Sequence, residues 1–238
     1  MRFFLILSLT LFTYSFSIAQ DGGVRLGIQA SPTFTWLASE DNTISSNGLR
    51  AGFKIGPIGE FYFRENYAFI SGINLVFSAG GTLTHQLGGN LLPETAVGSN
   101  TAGIDMIPDN SNIEYKIQSV EIPFGMKLRT NPIGYFRYFA EIPFIVGIKT
   151  QARGDISGAG LDTSKENISG DVNLVNVSWG IGGGVEYEIS ESTSIVGGLT
   201  FQGGFLDVTK NNGMQTNGGI EDSKVVQNAI NLKIGVMF

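Results

Sequence analysis

The chain has 238 residues, of which 33 are Gly, 17 are Phe and only 15% are charged, with a formal net charge of −6 and no Cys. Scattered Lys and Arg on an acidic chain exclude nucleic acid, because phosphate binding needs a concentrated basic surface. The missing cysteine excludes disulfides, thiolate metal sites, a cysteine nucleophile and a lipidated cysteine, and no motif calls for a cofactor.

Residues 1–19 combine Arg2, an apolar stretch from Phe3 to Phe12, and the small residues Ser17 and Ala19. This reads as a secretory signal peptide cleaved before Gln20, leaving one domain over residues 20–238. After it, no run approaches the about 20 apolar residues of a helical span.

Residues 24–36 open a period-two pattern, with Val24, Leu26, Ile28, Phe34 and Trp36 on one parity and Arg25, Gly27 and Gln29 on the other. Residues 49–63 repeat it, setting Phe53, Ile55, Phe61 and Phe63 against Arg50, Lys54 and Glu60. A tight turn at residues 64–66 leads to residues 67–77, with Tyr67, Phe69, Ile73, Leu75 and Phe77 on one face. The pattern dissolves over residues 80–112, read as a long mobile excursion. It resumes over residues 113–129 with a phase change near Ser119, after which Ile122, Phe124, Met126 and Leu128 oppose Glu121 and Lys127.

A turn at residues 130–134 precedes residues 135–149, where Phe136, Tyr138, Ile142 and Phe144 oppose Arg137 and Glu141. Residues 150–171 form another polar excursion. Residues 172–189 place Trp179, Ile181 and Tyr187 opposite Gly180, Gly182, Gly184 and Glu186. Residues 193–206 follow a tight turn, and after a last polar stretch residues 225–238 alternate Ile230, Leu232, Ile234 and Phe238 with Asn231 and Lys233.

Eight strands joined alternately by long polar loops and tight turns predict an all-β, eight-stranded, antiparallel up-and-down transmembrane β-barrel. So narrow a ring has room inside only for the smaller, more polar face, so the bulky face should meet outer-membrane lipid. Arg25, Arg50, Lys54, Glu60, Glu121, Lys127, Arg137, Glu141, Glu186 and Lys233 then point inward, and both signs of charge predict a paired network that plugs the lumen. Phe61, Phe63, Tyr67, Phe69, Phe136, Tyr138, Tyr187 and Phe238 should form a periplasmic aromatic girdle. Phe238 also serves as the expected signal to the barrel-assembly machinery. The tight turns and both termini are expected in the periplasm.

Three short motifs carry a family resemblance: Gly52-Phe53-Lys54-Ile55-Gly56, Val120-Glu121-Ile122-Pro123 and Gly235-Val236-Met237-Phe238. With them the chain resembles the PorT-like outer-membrane β-barrel proteins of Gram-negative bacteria, from Arg25 to Phe238. Val120 stands where that pattern has leucine. The resemblance implies an eight-stranded barrel in the outer membrane; its secretion role is not carried over.

Catalytic signals are thin. His85, the single histidine, falls in the long second loop with Asp105 and Asp109 in reach, so a loop Asp-His dyad competes with a solvated loop residue. The Gly180 to Gly184 run lacks the Lys-Ser/Thr of a phosphate loop and reads as room for a bulky inward neighbour. Asp155, Asp162, Glu166 and Asp171 match no calcium-loop spacing. The sequence reading is therefore a non-enzymatic outer-membrane barrel whose long loops recognise an extracellular or envelope protein partner. The alternatives are a barrel hydrolase centred on His85 and a secreted lipocalin-like binder of an apolar small molecule.

Overall fold

The computed structural model describes residues 23–95, 97 and 106–238. The signal-peptide reading of residues 1–19, and Asp105, lie outside the described residues. In chain order the strands are β1 (Val24–Ser39), β2 (Ile44–Ser46), β3 (Arg50–Arg64), β4 (Tyr67–Gly72), β5 (Asn74–His85), β6 (Gly89–Asn90) and β7 (Ser111–Arg129). They continue with β8 (Phe136–Gly158), β9 (Leu161–Asn167), β10 (Val175–Glu188), β11 (Ser194–Gly204), β12 (Gly213–Gln215), β13 (Ile220–Glu221) and β14 (Val225–Met237).

Antiparallel pairing closes these strands into a ring. β1 pairs with β3 on one side and with β14 on the other, and β14, β11, β10, β8 and β7 follow in turn. β4 and β5 both pair with β3 and with β7, so together they fill one place, interrupted only at Ile73. The ring therefore has eight places and no open edge, which satisfies the backbone without water.

The alternation does what period two demands: Leu26, Ile28 and Phe34 are exposed while Gln29, Ser31, Thr33 and Thr35 between and beyond them are buried. The same holds around the ring, with Phe69, Phe124, Phe144, Ile181, Leu199 and Leu232 all facing outward. The phase change expected near Ser119 is not a change of face: odd-numbered residues of β7 point inward throughout, Ile113, Tyr115 and Ile117 at one end and Glu121 and Lys127 at the other. The interior turns from apolar to polar there, and the register shift between Gln118 and Ser119 leaves its extra residue on β8.

Two expectations about the loops are corrected. Residues 80–85 continue β5, and residues 150–158 continue β8, which then turns back into β9. Alternation failed to mark β5 because a bulge between Val76 and Ala79 breaks the register. Ser78 there has φ 63°, and Gly80 has φ 127° with Tyr115 O only 2.2 Å from where a Cβ would stand. The stretch 80–112 is also not one loose excursion, because it supplies β6 and several buried side chains.

Those side chains build a second core beyond one end of the lumen. Leu37, Leu83, Leu91, Leu92, Ile107, Ile113, Tyr115, Ile156, Ile168 and Val208 pack as one apolar cluster. A small sheet in the order β13-β12-β6 lies over this end. We call this assembly the cap; among the described residues the opposite end carries the short turns, the start of β1 and the end of β14.

Candidate functional site

Inside the ring the charged side chains sort into layers. Nearest the short turns, Lys127 is ion-paired with both Glu60 and Glu186. Arg25 donates from Nη1 to Glu186 Oε2 at 3.1 Å and from Nη2 to Ser194 Oγ at 2.5 Å. Tyr62 Oη donates to Glu60 Oε2 at 2.5 Å. In the next layer Lys233 Nζ donates to the two oxygens of Glu141 at 2.8 and 2.6 Å, and Thr200 Oγ1 adds a bond at 3.1 Å. Lys54 Nζ donates to Glu121 Oε2 and to Gln202 Oε1, each at 2.8 Å. Gln202, Ser178, Asn231 and Thr33 extend this bonding across the lumen.

Of the ten charged residues singled out in the sequence, eight meet in these layers. The other two do not. Arg50 pairs with Glu114 and donates to Ser78 Oγ on the cap side, whereas Arg137 Nε donates to Glu188 Oε1 at 2.5 Å by the short turns. The sequence reading overlooked Tyr62, Arg129 and Glu188, although each shares the inward parity of its strand.

The lumen is also less uniformly polar than the sequence suggested. Ile58, Ile70, Phe139, Ile145, Val196 and Met237 are buried among the charges. Phe139 lies with its ring centroid 4.3 Å from Lys127 Nζ, a cation–π contact that the desolvated ammonium strengthens. Room for this ring comes from glycine. A Cβ on Gly184 would stand 2.7 Å, and one on Gly198 3.1 Å, from Phe139 Cζ. The bulky inward neighbour expected from the glycine run is thus Phe139 for Gly184, with Pro143 beside Gly180.

Little space remains. Between the Lys54–Glu121 and Lys233–Glu141 pairs lies a cavity of about 60 Å³, and between Glu121 and Lys149 one of about 30 Å³. These hold a few waters at most and no organic ligand.

On the outer surface at the short-turn end, Phe63 packs with Phe69 at 4.9 Å between centroids and with Tyr67 at 6.2 Å, and Phe136 with Tyr187 at 5.1 Å. Phe61 stands opposite Phe69 in the β3–β4 register, and Tyr138 and Phe238 are exposed near them in the strand order. Near the cap, Trp179 and Trp36 flank Phe201 at 5.7 and 6.3 Å.

A model of the outer membrane protein beta-barrel domain matches residues 18–209. The chain belongs to this family of outer-membrane β-barrels. No curated protein matches it. Among solved structures this barrel is similar to Neisserial surface protein A, with 11% identity over 89% of this chain and 95% of that one and a TM-score of 0.44. It is similar to Ail, the attachment invasion locus protein of Yersinia pestis, with 11% identity over 91% and 99% and a TM-score of 0.42. The Escherichia coli outer membrane protease OmpT shares 6% identity over 91% and 96%, with a TM-score of 0.40.

Against an outer-membrane barrel's architecture the sequence's catalytic candidates find other places. His85 is not a solvated loop residue: it ends β5, 4% exposed, in register with Ser111 and Ile44. Burial pushes its pKa down to about 4, and its Nε2 has no hydrogen-bond partner among the described residues. Asp109 is engaged elsewhere, accepting from Gly88 N at 2.7 Å and Thr216 Oγ1 at 3.2 Å. Asp155 is held by Lys116 and by Lys165 N, and Asp171 by Thr95 and Glu94 N. Among the described residues no group of acids and histidines is placed to hold a metal ion.

The exposed face of the cap is another matter. Asn90 stands opposite Met214, and Met214 opposite Ile220. The bridge from Gly89 to Ile107 puts Met106 beside the same row. Met106, Met214 and Ile220 are 59%, 59% and 67% exposed, although the cap buries most of its other apolar side chains.

Proposed function

We propose that the protein is a non-enzymatic barrel of a Gram-negative outer membrane that holds out the cap as a recognition surface for a protein partner. The cap's own apolar core carries this reading, because a surface set on a packed core is pre-organised and loses little freedom on binding. The exposed row of Met106, Met214 and Ile220 supplies the apolar contact such a partner needs. On this reading the cap is extracellular, the short turns and both termini are periplasmic, residues 1–19 are a cleaved signal peptide, and the PorT-like resemblance describes the finer family. The eight luminal charges then act as a structural plug. The aromatics of the short-turn end sit at the inner lipid interface, and β14 is the segment the assembly machinery reads.

The two alternatives fare worse on geometry. A hydrolase centred on His85 needs the imidazole to reach a substrate, and here it is sealed within the cap. A lipocalin-like binder needs the bulky face inside and a roomy lumen, and the bulky face here is outside.

The test is capture from envelope and host-surface extracts with purified protein, comparing native chain with a Met214→Glu/Ile220→Glu variant. Both side chains are exposed, so the variant should keep its fold and lose the captured partner. Equal capture by both would sink the recognition surface placed here.

A further inference from the structure

A second site lies at the opposite end. The short turns frame an open cavity of about 580 Å³ whose lining includes Tyr62, Arg64, Asn66, Arg129, Asn131 and Arg137. Its volume falls in the range of small-ligand sites, and it is far larger than either luminal cavity.

Arg129 is held there from three directions. Its guanidinium lies 4.0 Å from the centroid of the Tyr62 ring, its Nε donates to Glu65 O at 3.1 Å, and its Nη1 is 3.8 Å from Glu186 Oε2. Tyr62 is itself fixed by its bond to Glu60. A guanidinium locked in this way presents donors without the entropy cost of ordering a free arginine.

Among the described residues the charges around the cavity do not balance. Arg25, Arg64, Lys127, Arg129 and Arg137 line it or join the ion pairs at its floor, and Glu60, Glu65, Glu186 and Glu188 answer them. Among the described residues five cations meet four carboxylates, and Glu186 is shared by Arg25, Lys127 and Arg129. Partly desolvated positive charge in excess beside an open cavity favours an anion there.

We infer that this cavity binds a peptide-borne carboxylate, with Arg129 and Arg64 as its cationic partners. The paired donors of a guanidinium match the two oxygens of a carboxylate, and inorganic phosphate is the anion that the test sets against it. Asn66 Nδ2 donates to Asn131 Oδ1 at 2.7 Å, and Asn66 Oδ1 has no hydrogen-bond partner among the described residues, an acceptor that suits the N–H of a peptide chain on which that carboxylate is carried. The inference depends on the orientation proposed above for one point only, that the ligand comes from the periplasm.

Binding is measured on the purified full chain in detergent, where membrane orientation plays no part, using the tripeptide Ala-Ala-Ala with a free carboxylate, the same tripeptide amidated, and inorganic phosphate. The free acid should bind, the amide should bind at least about tenfold more weakly, and Arg64→Gln should weaken the acid by a similar factor. Because Arg129→Gln touches the luminal pairs, Arg64→Gln and Arg137→Gln at the rim keep the test independent of folding. Equal binding of acid and amide, phosphate binding without peptide binding, or an unchanged affinity in both rim variants would overturn the inference. Thiol labelling of an Asn131→Cys variant in intact cells separately tests the orientation: labelling from outside would refute the periplasmic source and leave the carboxylate site standing.

Discussion

Inside the ring, Glu60 and Glu186 are sealed against Lys127 and Arg25, whereas beyond it Leu37, Leu83, Ile113 and Ile156 are sealed against one another. Both regions are buried and tightly filled, but their tolerance of change differs. An apolar core loses the transfer energy of the atoms removed, together with a cavity term that partial collapse can reduce. A buried ion network loses more from a smaller edit, because the partner left behind is an uncompensated charge. The lumen should therefore be the brittle half of the molecule and the cap the forgiving one.

The sharpest test of that contrast is Glu186→Ala, which strips Lys127 and Arg25 of a shared carboxylate. It should destabilise the barrel by about 3–5 kcal/mol, read from urea unfolding in lipid vesicles. Ile156→Ala in the cap should cost about 2–5 kcal/mol and expose the cap to protease while the ring stays folded. If Ile156→Ala unfolds ring and cap together, the two regions are one cooperative unit and the comparison fails.

A third change touches neither interior. Leu232→Arg places a charge on the outward face, at about 2–4 kcal/mol near the bilayer midplane, and should lower the yield of assembled barrel. Assembly equal to the native chain would contradict a lipid-facing Leu232.

Acid separates the two regions without mutation. His85 has a folded pKa of about 4 against 6.5 for the free side chain, so the unfolded cap takes up its proton first as pH falls. Its contribution is intact above pH 6.5 and is lost between pH 6.5 and about 4, a change of roughly 3 kcal/mol. The protection of cap amides against hydrogen exchange, relative to the intrinsic rate at each pH, should fall over that window, and a His85→Gln chain should lack this component. The least effect is expected from Lys224→Ala. Its 3.5 Å pair with Glu40 is well exposed, and its loss should shift stability by about 0–1 kcal/mol.

The ring was legible in the sequence because period two is a local signal: each of Phe53, Ile55, Phe61 and Phe63 declares its face by its distance from the next. Lys54, Glu60, Glu121, Lys127, Glu141, Glu186 and Lys233 could be placed inside by parity alone. Which of them would meet could not, since pairing depends on the stagger of strands around the ring. The cap was illegible for a different reason. Leu91, Leu92, Ile107, Ile168 and Val208 follow no period, and they become a core only when distant loops are brought together. His85 looked solvated because its neighbours in sequence are Thr84 and Gln86, while its burial comes from β2 and β7. The cavity at the short turns was hidden similarly, as Arg64, Arg129 and Arg137 stand on three different strands.

The fit of Phe139 against Gly184 and Gly198 bears on how the ring is assembled. The three residues stand in one cross-strand row, Gly184 opposite Phe139 on one side and Gly198 on the other. Backbone hydrogen bonds are alike in every register, so they cannot tell a correct pairing of β8, β10 and β11 from a slipped one. A slip of one residue turns Glu186 toward lipid, and a slip of two that brings Glu186 against the ring drives a carboxylate into space that only a missing side chain leaves open. Two absent Cβ atoms thus proofread the alignment of three strands, accepting it by shape where bond count is blind.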